Sequence, residues 1–116
     1  MLASREDLMW RLTIVTLFAL QLARPGAAQD LKAKGEKVYA DQKCSLCHAI
    51  AGKGNAKGPL DGVGTKLSEA DIRAWITDAA GMTTKTGATR KPVMKQYSLP
   101  KDDVDALVAY LTSLKK

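Results

Sequence analysis

Both cysteines and the only histidine of this 116-residue chain stand in five consecutive positions, Cys44-Ser45-Leu46-Cys47-His48. Structural cysteines behave as small apolar side chains scattered through a core. Such scatter gives a lone imidazole no reason to follow a thiol directly. On a helical turn, residues i, i+3 and i+4 share a face, so the three side chains can address one object from one side. Cys-x-x-Cys-His is the attachment signature of a c-type haem. Cys44 and Cys47 can form thioethers with two vinyl groups along one porphyrin edge, and His48 can aim its imidazole at the iron. One short segment then sets the ring, its tilt and one axial ligand.

The rival uses of these residues fit less well. A Cys44–Cys47 disulfide of the redox-motif kind belongs to a βαβ context, and no stretch of the chain sustains period-two alternation. A structural zinc ion takes four ligands, whereas two thiolates and one imidazole are all the cysteine and histidine present. Two unmodified thiols would leave His48 without a role. They would also sit badly in an oxidising compartment, and export is what the first residues suggest.

Arg5 and Arg11 precede an uncharged apolar run, Leu12–Leu22, followed by Arg24-Pro25-Gly26 and the small residues Ala27-Ala28. A basic start, a short apolar segment and a small-residue cleavage site describe a secretory signal peptide, with the cut expected after Ala28. Met9 serves equally well as a start, because everything the signal needs lies beyond it. At ~1.5 Å per residue the apolar run covers about half of a ~30 Å hydrocarbon core, so stable membrane insertion is not expected. The expectation is residues 1–28 as leader, residues 29–116 as one domain, and a periplasmic or otherwise exported location.

Residues 29–116 contain no phenylalanine; their aromatic side chains are Tyr39, Trp75, Tyr97 and Tyr110. A domain of this size buries only roughly 60–65% of its unfolded surface, so a bound cofactor is expected to fill its centre. The formal charge is +6. For an exported chain without a nucleic-acid-binding motif, this favours an acidic protein surface as partner.

Beyond the leader the sequence reads as helices separated by glycine-rich loops. Leu31, Gly35, Val38, Tyr39 and Gln42 fall on one helical stripe running into Cys44. Ala49 to Leu67 reads as loop. Ser68 is placed to cap a helix carrying Ile72, Trp75, Ile76 and Ala79, with Gly81 as its stop. Thr83 to Tyr97 reads as irregular. Val104, Leu107, Val108, Leu111 and Leu114 mark a final helix begun near Pro100, with Asp102 and Asp103 at its positive end. The fold class is all-α.

Taken in order, these pieces resemble the small soluble class I c-type cytochromes over residues 31 to 115. The resemblance rests on Gly35 and Tyr39, the pentapeptide, Gly58-Pro59-Leu60-Asp61-Gly62-Val63-Gly64, Trp75-Ile76, a methionine ahead of Tyr97, and Leu107-Val108-Ala109-Tyr110-Leu111. It implies three to five helices wrapped around one covalent haem c, with Gly35 and Tyr39 against Leu107 and Tyr110. It also implies that the Pro59 carbonyl holds the second ring nitrogen of His48, and that a methionine supplies the sixth ligand. Met94 is expected in that role rather than Met82, because it lies in an irregular segment able to reach over the ring. Lys91-Pro92-Val93-Met94 resembles the family's ligand loop. The family often has proline directly after this methionine, whereas here Lys95 follows and Pro92 precedes.

A closed His/Met haem moves single electrons, whereas an open one binds or activates small ligands. The expected function is thus a monomeric, non-enzymatic one-electron carrier between periplasmic or membrane-bound redox proteins. The alternatives are a haem sensor or peroxidase-like protein with a labile sixth ligand, and a dedicated haem subunit of an oxidase or dehydrogenase complex. Lys43, Lys53, Lys57, Lys91 and Lys95 are expected to ring the exposed haem edge and steer acidic partners.

Overall fold

The computed structural model describes residues 26–116. The expected leader up to Pro25 lies outside the described residues, and the first helix is continuous through the expected cut after Ala28. In chain order come α1 (Gly26–Asp41), a single 3-10 turn (Cys44–Leu46), β1 (Ala49–Ile50), β2 (Lys53–Gly54), α2 (Val63–Lys66), α3 (Glu69–Thr77), α4 (Ala79–Thr86) and α5 (Lys101–Thr112). The all-α reading holds. None of the described helices is long and apolar enough to cross a membrane.

The frame is the crossing of α1 with α5. Gly35 is buried at the contact, and a Cβ there would strike the Ala106 carbonyl and the Tyr110 Cβ. Only glycine lets the two backbones meet so closely. One turn further along, the Tyr39 and Tyr110 rings meet edge to face, 6.0 Å between centroids and 67° between planes. Replacing Gly35 by alanine is expected to lower stability by about 1–3 kcal/mol, the usual cost of overfilling a close contact, read as a fall in the urea midpoint. An unchanged midpoint would mean that the crossing yields freely.

α3 lies on the other flank of α5. Ile72 and Ile76 join Val38, Val104, Leu107, Val108, Tyr110 and Leu111 in one buried cluster. Arg73 binds Asp105 at 2.8 Å across the same interface, and Lys101 meets the other oxygen of that carboxylate at 2.6 Å. Ser68 caps α3 as expected, its hydroxyl accepting the Asp71 N–H at 3.1 Å.

Three features depart from the sequence reading. Gly81 does not stop α3: the chain breaks at Asp78, which closes α3 and caps α4 by accepting the Gly81 N–H. Asp78 can serve both because its backbone leaves the helical region while its carboxylate reaches forward. Met82 consequently sits inside α4 and is buried. The stretch read as loop after Ala49 holds a hairpin and the short α2. Its turn has positive φ at Ala51 and Gly52, the pattern of a type I′ turn. The Asp61 carboxylate steadies it by accepting the Ala51 N–H at 2.9 Å.

Candidate haem site

The attachment turn begins where α1 ends. Lys43 adopts a left-handed conformation (φ 56°), which swings the chain out of the helix and into the 3-10 turn. Every backbone carbonyl from Cys44 to His48 then accepts a hydrogen bond. Cys44 accepts the N–H groups of Cys47 and His48. The Asn55 N–H is shared between the carbonyls of Ser45 (3.2 Å) and His48 (3.0 Å). The Asn55 side chain donates to Leu46 at 3.2 Å, and Arg90 donates to Cys47. Asn55 and Arg90 both hold the site together, and sequence reasoning singled out neither.

His48 lies with Nδ1 3.1 Å from the carbonyl oxygen of Gly58. A carbonyl only accepts, so the ring hydrogen is on Nδ1 and Nε2 keeps a bare lone pair. This acceptor lies one residue before Pro59, whose carbonyl is the one expected from the resemblance. Ala49 forms an isolated bridge with Pro59, its N–H donating to Gly58 at 3.0 Å while Leu60 donates back to Ala49 at 2.8 Å. That pairing turns the Gly58 carbonyl toward Ala49 and His48, and its two lone pairs serve both. Gly58 is buried, and a side chain there would collide with the Cys47 carbonyl and the Arg90 guanidinium. Burial lowers the pKa of His48; the Gly58 bond opposes this, and the Arg90 charge reinforces it. A neutral imidazole is the form that binds a metal.

His48, Cys44 and Cys47 open onto a cavity of about 680 Å³, within the roughly 300–1,000 Å³ range of sites that enclose small molecules and cofactors. Leu60, Val63, Leu67, Ile72, Ile76, Leu107 and Leu111 make its apolar walls. Both thiols are free, Cys44 half-buried and Cys47 exposed, and burial pushes the Cys44 thiol up. Tyr39 also lines the cavity; burial first, then the neighbouring Cys44, Tyr110 and Asp61, raise its hydroxyl to about 12.

Met94 and its neighbours Pro92, Val93 and Lys95 line this cavity, whereas Met82 does not. The donors therefore suit a haem: two thiols at one wall, a neutral imidazole with a free nitrogen, a thioether on a separate segment, and apolar surface for the ring. Among the described residues no group of three or more His, Cys, Asp or Glu side chains comes together as a metal cluster.

Comparison with known proteins agrees with this chemistry. The chain is 33% identical over 97 residues to a cytochrome c oxidase subunit 2 of Alkalihalophilus pseudofirmus, covering 75% of this chain and 27% of that protein. It thus spans about a quarter of that relative's length. No solved structure matches. A family model described as Cytochrome c matches residues 32–115, and proteins of this family carry haem c bound covalently through the motif that Cys44 and Cys47 occupy here. With the match running from α1 to the end of α5, this chain belongs to the cytochrome c family.

Proposed function

We propose that this chain is an exported one-electron carrier whose haem iron is held between His48 and Met94 and which exchanges electrons with redox proteins presenting acidic surfaces. The observation that supports it most is that His48 and Met94, from segments far apart in sequence, line one apolar cavity while Met82 is buried in α4 away from it. Haem bound there supplies a ferric/ferrous couple, raised in potential by histidine–methionine ligation. The Gly58 carbonyl fixes the His48 ring and makes Nε2 a better donor. The walls from Leu60 to Leu111 keep water from the ring faces. Lys43 and Lys95 lie at the cavity wall, and Lys53, Lys57 and Lys91 are likewise exposed; such charge speeds encounter with an acidic partner more than it tightens the complex.

The purified holoprotein is expected to show the weak far-red band of methionine-ligated ferric haem and, when reduced, to bind carbon monoxide only slowly at neutral pH. Rapid binding would favour the sensor or peroxidase-like alternative. Electron exchange with an acidic redox protein should slow between 0.01 and 0.1 M salt, as the Debye length falls from ~30 to ~10 Å; a flat rate removes steering. The similarity to an oxidase subunit supports a second reading, a haem module docked in an oxidase-type complex. Purification as a lone monomer would argue against it.

A further inference from the structure

The segment that carries Met94 is tied down at very few points. The Ala88 N–H bonds back to Thr83 at 3.2 Å, and the Pro100 carbonyl starts α5. Between them, from Thr89 to Leu99, the described residues show one hydrogen bond to the remainder of the chain. It runs from the Arg90 guanidinium to the carbonyl of Cys47.

We propose that Arg90 is the positioning residue of the Met94 arm, tying that arm to the carbonyl of the residue that precedes His48. The inference rests on the reading of Met94 as sixth ligand and goes beyond it by naming what holds the arm in place. The bridge joins positions 43 residues apart, four residues before Met94 and one before His48. Its donor is charged, which makes the bond shorter and stronger than a neutral one. The guanidinium lies against Gly58, where any side chain would displace it. Gly58 therefore serves twice: its carbonyl orients the His48 ring, and its missing Cβ makes room for the group that anchors the opposite arm. Apart from this bridge, the arm is held at its two ends and by the packing of Tyr97 and Leu99 against the core.

The test is carbon monoxide binding to the reduced holoprotein, which reads how often the sixth position opens. Arg90→Leu removes the donor without supplying a new ligand. It is expected to bind about tenfold faster than the parent, a change worth about 1.4 kcal/mol and within reach of one hydrogen bond to a charged group. Lys85→Leu removes the same charge from an exposed position on α4 that does not line the cavity, and should leave the rate at the parent value. Arg90→Lys keeps a donor but not the planar fork and should show about a threefold rise. A parent-like rate in Arg90→Leu, or an equal rise in Lys85→Leu, overturns the proposal. Should Arg90→Leu fail to take up haem, Arg90→Lys decides alone, a rise supporting the tether and a parent-like rate removing it. Met94→Ala separates the two readings. If it leaves the rate slow, the ligand assignment fails; if it opens the iron and Arg90→Leu does not, only the tether fails.

Discussion

Replacing Met94 by alanine is expected to abolish the far-red band, lower the potential and let carbon monoxide bind the reduced protein rapidly, all without collapse of the fold. The side chain lies on the cavity wall, half-buried, so little core packing is lost with it. On the proposed ligation, what disappears is a soft thioether, and with it the ligand that raises the potential of a histidine–methionine haem. Met82 offers the converse. It is 7% exposed within α4, so Met82→Ala should cost stability, about 2–5 kcal/mol for a buried methionine, and leave spectrum and potential unchanged. Denaturant midpoints and optical spectra measured on both variants separate the roles; if the two exchange behaviours, the ligand assignment is wrong.

The other large effect is expected from changing Cys44 and Cys47 together to alanine. Without thioethers the chain should lose covalent haem and most of its far-ultraviolet helical signal. An engineered apolar hole of about 150 Å³ already costs several kcal/mol, and this cavity is more than four times larger. Its walls are not spare surface. Ile72, Ile76, Leu107 and Leu111 belong both to the buried cluster and to the cavity lining, so an empty site hydrates one side of the core itself. Against a typical total stability of ~5–15 kcal/mol, that loss leaves little to hold α3 on α5. A haem-free variant that melts cooperatively with native-like helix content would overturn this expectation.

The parts legible in the sequence were those written locally. The α5 stripe from Val104 to Leu111, the Ser68 cap and the attachment pentapeptide each place their meaning within a few residues and stand in the structure where the spacing put them, while Leu114, read as the last of that stripe, falls beyond the helix end at Thr112. The misread parts depend on backbone geometry that composition does not display. Gly81 resembles a helix stop, yet Asp78 closes α3 and caps α4, and Gly81 lies in the first turn of α4 with its N–H donating to the Asp78 carboxylate. Ala51 in a left-handed conformation conceals a hairpin that an Asn-Gly pair would have announced. The His48 acceptor is Gly58 because a bridge between Ala49 and Pro59 sets the orientation of that carbonyl, a fact settled between strands of chain ten residues apart. Arg90 carried no signal of its own, since its partner is a main-chain oxygen far away in sequence.

The sparse attachment of the segment from Thr89 to Leu99 has a consequence for how such a protein can be altered. The frame of α1, α3 and α5 supplies the buried cluster and much of the cavity wall, whereas this segment adds little to that cluster, with Tyr97 and Leu99 its residues packed against it. What the Met94 segment presents to the cavity can therefore change with little effect on the core. On the proposed ligation, substitutions at positions 92 to 96 would change the sixth ligand, its reach or its surroundings while the helical frame stays as it is, so rewriting a single short stretch would convert a closed carrier to an open, ligand-binding centre.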